Sequence, residues 1–240
     1  MRVNTAGSVY VIAFSAAIAT IFTGSIMALH VATQDAVARN ERLLKDKALV
    51  ELFGLGDVDK LSGPQISDLV NKRIVTQDDP VTDTQTGWSF MPISAYKTDG
   101  KQGEPRSAED LIGLAFPIEG VGFWAPIRGL MAVTPDAKKV VGVVFLSQRE
   151  TPGLGGRITE RKWRAQFVGL DVSDPGSDRP FVYIGGPEPT GPGDPKTNRR
   201  VDSITGATQT SLAVERFINE SLRRFRRALA QRPDSPEGDN

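Results

Sequence analysis

The sequence predicts an N-terminal transmembrane helix followed by a single α+β domain, in which an antiparallel sheet is packed by helices. Three observations support this fold class. A long uncharged apolar run lies near the N-terminus, short apolar runs of strand length cluster in the middle of the chain, and an amphipathic pattern of helical period lies near the C-terminus. Because the strands and the last helix each have an apolar face to cover, we expect them to share one core.

The apolar run, residues 9–31, is the predicted membrane anchor and follows a short segment, residues 1–8. It contains no charged residue, and as a helix it would reach about 35 Å, enough to cross a hydrocarbon core of ~30 Å. The alternatives are a cleaved signal peptide and a buried helix of a soluble domain. The anchor is favoured over a signal peptide because the run is too long and residues 27–32 make a poor cleavage site.

The charges that flank the anchor favour a cytoplasmic domain. Only Arg2 precedes the span, whereas four basic residues follow it: Arg39, Arg42, Lys45 and Lys47. Positive charge is enriched on the cytoplasmic side of membrane spans, although this rule is weak for long translocated domains.

The rest of the chain divides into three parts. Residues 32–56 are rich in helix formers and end at two glycines, which predicts a stalk helix. Residues 57–232 form the globular domain, and the polar tail 233–240 is predicted to be disordered. Strands are predicted at 88–96, 111–116, 129–133, 140–147 and 181–184, the middle three as a meander, and an amphipathic helix spans the apolar positions from Leu212 to Leu229.

The composition excludes several kinds of chemistry. The chain of 240 residues has no cysteine, so it cannot by itself supply a disulfide, a thiolate nucleophile or a cysteine-bound metal cluster. Its single histidine, His30, lies in the predicted anchor, which leaves none for a catalytic triad. Zero net charge argues against nucleic-acid binding. No metal site is predicted.

Residues 202–211, Asp-Ser-Ile-Thr-Gly-Ala-Thr-Gln-Thr-Ser, run directly into the last predicted helix. Backbone amides and the dipole at a helix N-terminus favour an anion, and the small Gly206 and Ala207 leave room for a phosphate. The hydroxyls that could hold it are those of Thr205, Thr208, Thr210 and Ser211. Taken alone, the pattern fits an ordinary helix cap equally well.

Residues 150–156, Glu-Thr-Pro-Gly-Leu-Gly-Gly, follow the strand at 140–147. The glycines around one leucine form a loop whose backbone could lie against a flat ligand, with Glu150 and Thr151 as polar groups. A tight turn without a ligand is the alternative.

Together these motifs resemble a known family. The stretch Asp-Ser-Ile-Thr-Gly-Ala-Thr at 202–208 matches the pattern at which flavin mononucleotide (FMN) is attached to bacterial respiratory proteins. With residues 150–156 and the stretch Pro-Ile-Glu-Gly-Val-Gly-Phe-Trp at 117–124, it is similar to the C subunit of the sodium-translocating NADH:quinone oxidoreductase. The G subunit of the Rnf ferredoxin:NAD oxidoreductase complex shares two of the three motifs, and Trp124 and the glycine pair 155–156 favour the C subunit.

The resemblance implies that residues 57–232 form an FMN-binding domain with FMN joined to Thr208 through a phosphoester bond. The surrounding motif would supply the phosphate environment: Asp202, Ser203, Thr205, Gly206, Ala207, Thr210 and Ser211. Contacts to the flavin ring would come from Glu150, Thr151, Gly153, Leu154, Gly155 and Trp124. For Trp124 itself, a packing role in the core is favoured over stacking.

The function implied by the resemblance is electron transfer in a membrane complex that moves electrons from NADH to ubiquinone and exports sodium. Implied partners are the other membrane subunits, the lipid bilayer around residues 9–31 and a flavin transferase that attaches FMN. The resemblance places the flavin domain on the outer, periplasmic face of the bacterial inner membrane, against the charge count. No dinucleotide-binding glycine motif follows a predicted strand, so the chain alone is not expected to bind NADH.

Two alternatives remain open at this point. One is an Rnf-type G subunit or a stand-alone extracytoplasmic flavoprotein. The other, of a different class, is an anchored binding or scaffold domain without redox chemistry, in which Thr208 only caps a helix. A hydrolase is disfavoured by the missing histidine. Four arginines on the last helix, at 223, 224, 226 and 227, indicate a solvated face or a docking surface for another subunit.

Overall fold

The computed structural model describes residues 5–77, 79–101, 104–176, 179–191 and 193–231. It divides into two compact units, Met1–Leu44 and Lys45–Asn240. The predicted disordered tail lies outside the described residues, as do the first four residues of the chain.

The first unit consists of the helix α1 (Thr5–Leu52) up to Leu44. Among the described residues, α1 is the one helix long and apolar enough to cross a membrane by length and composition, with a mean hydropathy of 2.0 in its most apolar stretch. No part of that stretch is buried within the protein. The helix is compatible with a single-pass membrane anchor. It ends at Leu52, four residues before the predicted end of the stalk.

The second unit begins with the last turns of α1 and is an α+β domain. Its other helices are α2 (Gly63–Arg73), α3 (Arg161–Arg164) and α4 (Thr208–Ala230). Its strands are β1 (Ile74–Thr76), β2 (Val81–Asp83), β3 (Trp88–Phe90), β4 (Ile93–Tyr96), β5 (Leu111–Val121), β6 (Pro126–Val133), β7 (Val140–Ser147), β8 (Tyr183–Ile184) and β9 (Arg200–Val201).

A five-stranded antiparallel sheet in the order β1-β4-β5-β6-β7 forms the centre of the domain. The strands β5, β6 and β7 are consecutive neighbours, which confirms the predicted meander. Between β6 and β7, the amide of Ala137 donates to the carbonyl of Thr134 over 2.8 Å, closing the predicted turn. A small parallel pair, β8-β9, leads directly into the 202–211 segment.

Both faces of the sheet are covered, because successive strand residues point to opposite sides. On one face Phe116, Met131 and Val143 pack with α4, where the ring of Phe225 stacks on Phe116 at 4.0 Å between centroids. On the other face Ala115, Leu130, Ala132 and Val144 pack with the buried Leu49 and Leu52 at the end of α1 and with Phe53, which follows the helix. The last turns of α1 are therefore part of the domain core.

The structure differs from the predictions at several places; for example, β1, β2, β9 and α3 are absent from the predictions. The predicted strand 88–96 is two strands, β3 and β4, which join different sheets on either side of Pro92. Only Tyr183–Ile184 of the predicted strand 181–184 pairs as a strand. The helix α2 is absent from the predictions, although Ser62 and Gln65 form a capping box at its start.

Two of the four arginines on α4 bind other groups of the domain instead of projecting into solvent. Arg226 donates to the carbonyls of Ala137 and Val172, and Arg227 pairs with the buried Asp83 at 2.7 Å. The interpretation of the four as one solvated stripe is wrong for these two.

Candidate functional site

The predicted motif at 202–211 forms a closed turn that leads into α4. Gly206 has a φ of +79°, a left-handed conformation that residues with a side chain rarely adopt. The amide of Ala207 donates to the carbonyl of Ile204 over 2.9 Å, and the amide of Ile204 donates to Ser211 Oγ over 3.0 Å. These bonds fix the turn, with Ala207 as the N-cap and Thr208 as the first residue of α4.

The hydroxyls of this motif divide into exposed and buried ones. Thr208 and Thr205 are exposed, as is Ser203. Thr210 and Ser211 are buried, with hydroxyls that are already engaged in hydrogen bonds. An incoming group can therefore reach the hydroxyl of Thr208. The hydroxyls of Thr210 and Ser211 instead make hydrogen bonds inside the domain.

The loop 150–156 lies against the same turn. Gly153 has a φ of +75°, and the amides of Leu154 and Gly156 both donate to the carbonyl of Thr151. The tip of Leu154 lies over Gly206, since a Cβ added to that glycine would be 3.0 Å from Leu154 Cδ2. Leu154 is nevertheless 43% exposed, so it presents apolar surface beside the Thr208 turn.

The connection between β5 and β6 supplies Trp124. Its side chain is 68% exposed and its ring packs edge-on against that of the exposed Phe123. Its indole Nε1 donates to Thr151 Oγ1 over 3.1 Å. The prediction that Trp124 is a core residue is wrong, because this side chain lies at the surface and is tied to the 150–156 loop.

The buried carboxylate of Glu150 joins the three motifs through hydrogen bonds. It accepts them from the backbone amide of Trp124 at 3.0 Å and from Thr210 Oγ1 at 2.7 Å. Gly155 is also buried and packs against both Glu150 and Thr210. Thus three separate segments of the sequence meet at one place, and Glu150 and Thr210 alone are 60 positions apart.

Asp202 is held mainly through its backbone. Its amide donates to Gln166 Oε1 over 2.9 Å, its carbonyl accepts from the indole of Trp163 at 2.8 Å, and its exposed carboxylate pairs with Arg200. These bonds anchor the start of the motif to the α3 region.

Beside the motif lies a cavity of about 160 Å³ that the sequence did not indicate. Arg157 and Lys162 line it together with Ser203 and Thr205. Both basic residues come from the segment after the 150–156 loop, and no sequence pattern marked them as neighbours of residues 202–205.

Within the described residues, no group of three or more histidine, aspartate or glutamate side chains could hold a metal ion. The turn presents the exposed hydroxyl of Thr208 at a helix N-terminus, and the partly exposed Leu154 lies over the nearby Gly206.

Comparison with known proteins defines the class to which this site belongs. Residues 122–223, which include all of loop 150–156 and the Thr208 turn, match the sequence model of the FMN-binding domain. This part of the chain is therefore similar in sequence to FMN-binding domains.

The particular relatives are C subunits of the Na(+)-translocating NADH-quinone reductase. The chain is 28% identical to that subunit from Pseudomonas aeruginosa, over 79% of this chain and 81% of the relative, and 28% identical to the one from Vibrio anguillarum, over 73% and 75%. The C subunit from Chlamydia pneumoniae is 36% identical over 48% of this chain and 39% of its own length. These homologues confirm the resemblance to the C subunit.

A solved structure agrees on the fold. The crystal structure of the C subunit from Parabacteroides distasonis superposes with a TM-score of 0.61 at 20% identity, covering 83% of this chain and 98% of that one. It supports the α+β fold.

Proposed function

We propose that this chain is an electron-transfer subunit that carries FMN covalently on Thr208. The observation that carries the proposal is the position of Thr208, an exposed hydroxyl on the first residue of α4, inside the motif at 202–208 and next to the exposed Leu154 and the 150–156 loop. The product would be a phosphoester in which Thr208 Oγ1 replaces one oxygen of the FMN phosphate, so that the protein gains FMN less one water.

The residues present fit FMN. The first amides of a helix have no partner within that helix, so the start of α4 can donate hydrogen bonds to a phosphate held on Thr208. Trp124 and Leu154 offer exposed apolar surface to the ring, and Thr151 holds the indole of Trp124 in place. When bound, FMN would supply reversible one- and two-electron chemistry, and the chain has no cysteine whose thiol could do so.

The residues around Thr208 would keep its hydroxyl accessible and hold the turn in shape. Gly206 and Ala207 leave the hydroxyl accessible to a flavin transferase, while Ser203 and Thr205 stand exposed beside Arg157 and Lys162. The backbone of Asp202 fixes the start of the segment. Thr210 and Ser211 hold the turn from the buried side.

The names of the homologues support a wider function. These proteins are named as subunits of a Na(+)-translocating NADH-quinone reductase, so we propose that this chain works with other membrane subunits to pass electrons from NADH to ubiquinone, coupled to sodium export. The apolar part of α1 would anchor it in the bilayer. We propose that the flavin domain faces the periplasm, where the transferase would act.

The attachment is tested by coexpressing the full chain with a flavin transferase, beside Thr208→Ala and Thr210→Val. Intact mass and in-gel fluorescence of the denatured protein should show one FMN less one water in the wild type and none in Thr208→Ala. Thr210→Val should still carry FMN after prolonged coexpression, even if it is labelled more slowly, because its buried hydroxyl is not the proposed attachment point. An unmodified wild type, with the transferase active on another substrate, would leave an anchored domain without a flavin as the better account.

The orientation is tested separately, since the chain has no cysteine. A single cysteine introduced at the exposed Val168 should react with a membrane-impermeant thiol reagent in intact spheroplasts. Labelling only after lysis would place the domain in the cytoplasm.

A further inference from the structure

We infer that Glu150 is a positioning residue of the flavin site rather than a contact of the flavin ring. Its buried carboxylate fastens the first turn of α4, the 150–156 loop and the Trp124 connection to one another, and thereby fixes Thr208 relative to Leu154 and Trp124. This inference rests on the proposed function of Thr208.

The two carboxylate oxygens have different partners. Oε1 accepts from the backbone amide of Trp124 at 3.0 Å, and Oε2 accepts from Thr210 Oγ1 at 2.7 Å. Glu150 is 4% exposed and Thr210 is 3% exposed, so water does not compete strongly for either contact. Thr210 stands two positions after Thr208 in the same helical turn, and a restraint on Thr210 also restrains Thr208.

The position of the carboxylate is enforced by its surroundings. A Cβ on Gly155 would come within 2.5 Å of Thr210 Oγ1 and 2.9 Å of Glu150 Oε2. A Cβ on Gly122 would come within 2.5 Å of Glu150 Oε1 and 2.8 Å of the carbonyl of Ala125. Glycine at both positions thus makes room for the carboxylate from two sides.

The carboxylate is held by hydrogen bonds rather than by a counterion. Among the residues described by the structure, no lysine or arginine pairs with Glu150. A buried carboxylate is costly unless its oxygens accept hydrogen bonds, so removal of one donor should loosen the segment that supplied it. The backbone next to Glu150 also carries Thr151, which binds the indole of Trp124. Loss of the carboxylate should therefore disturb the Trp124 side chain as well.

The inference predicts a pattern across four variants of the full chain. Glu150→Leu removes both acceptors and Thr210→Val removes one donor, whereas Glu150→Gln and Thr210→Ser retain both contacts. A glutamine can accept from the Trp124 amide through its carbonyl and donate to Thr210 Oγ1 through its amide group. Conservative variants should thus rescue the function.

Glu215 offers a matched control on the same helix. It is partly buried, and its Oε2 accepts from the backbone amide of Ile184 at 2.6 Å, in the strand that pairs with Val201 just before the 202–211 segment. Glu215→Leu removes a carboxylate that accepts from a backbone amide, as Glu150→Leu does, but leaves both Glu150 contacts in place.

The experiment has two readouts. The first is the initial rate of covalent flavin incorporation after induction of a flavin transferase. It should fall by about tenfold in Thr210→Val, as expected for one lost hydrogen bond to a charged group, and by at least about tenfold in Glu150→Leu, which loses two. It should stay within about twofold of wild type in the two conservative variants and in Glu215→Leu.

The second readout is residue-resolved amide hydrogen exchange of the protein without flavin. In Glu150→Leu the Trp124 amide should exchange faster and the Ile184 amide should be unchanged. In Glu215→Leu the Ile184 amide should exchange faster and the Trp124 amide should be unchanged. A wild-type chain that takes no FMN would refute the proposed function, and the exchange pattern would still decide whether Glu150 joins the segments.

Two results would overturn the inference. One is a Glu150→Leu protein that is flavinylated at the wild-type rate with a protected Trp124 amide. The other is a Glu215→Leu protein that loses flavinylation as strongly as Glu150→Leu, which would show that general loosening of the domain is responsible.

Discussion

The account depends on which face of α4 is exposed, and two leucines on that helix test it. Leu222 is 1% exposed within the core beneath the sheet, whereas Leu212, four residues after Thr208, is 50% exposed. Leucine to alanine at a fully buried site costs about 2 to 5 kcal/mol, because transfer and cavity terms add. We expect roughly 3 kcal/mol for Leu222→Ala. For Leu212→Ala we expect about 1 kcal/mol or less, since half of the side chain is already in water and no cavity forms.

The assay is urea unfolding of the full chain in detergent, followed by tryptophan fluorescence, with the slope m compared among the variants. Equal slopes allow the midpoints to be converted into free energies. The reasoning would be refuted if Leu212→Ala lost as much free energy of unfolding as Leu222→Ala, or more. In that case α4 would bury the face that carries Thr208.

Three further predictions concern single residues. Gly206→Ala should destabilise the domain by about 1 to 2 kcal/mol, because φ is positive there and the new Cβ meets Leu154, and it should slow flavin attachment. Trp124→Leu should keep covalent FMN but shift the flavin absorption spectrum towards that of free FMN in water, because the exposed indole no longer covers the ring. Asp83→Asn should destabilise the domain at neutral pH, since the hydrogen bond from Arg227 lowers the pKa of Asp83 from 3.8 to about 2. The folded pKa lies below the unfolded one, so this stabilisation is present above about pH 4 and is lost as the pH falls through about 2.

Each of these predictions has a result that contradicts it. If Gly206→Ala had the unfolding free energy and the rate of flavin attachment of the wild type, the turn would not need glycine at this position. An unchanged spectrum in Trp124→Leu would remove the indole from the ring site. For Asp83→Asn, the loss in unfolding free energy should shrink as the pH is lowered from 4 to 2; a loss that is constant over this range would show that the carboxylate is not held ionised by Arg227.

Much of the fold could be predicted because its signals are local. The period of apolar residues in α4 and the three runs of the meander depend on neighbours within a few positions. The sequence predicts one strand at 88–96 because β-forming residues flank Pro92 on both sides. The structure breaks it there, and each half pairs with a different partner. That choice depends on strands far along the chain, which periodicity does not report.

The candidate site was likewise predictable where its signals are local and not where they depend on the whole fold. The motifs at 150–156 and 202–208 can be found from short patterns, and their link to FMN comes from resemblance rather than from physics alone. The bond between Glu150 and Thr210 joins positions 60 apart and depends on how the whole domain packs. The sequence favours a core position for Trp124 because large aromatic side chains are usually buried. The structure instead leaves its side chain 68% exposed, which agrees with the proposal that this surface contacts the flavin.

The most direct test of the central claim is to locate the flavin within the chain. Trypsin cleavage after Arg200 and Arg216 releases residues 201–216, which contain Thr208 and the other candidate hydroxyls at Ser203, Thr205, Thr210 and Ser211. Tandem mass spectrometry of this peptide from flavinylated protein should place the mass of FMN less one water on Thr208. The same mass on any other hydroxyl, or a peptide without it from protein that fluoresces after denaturation, would contradict the assignment.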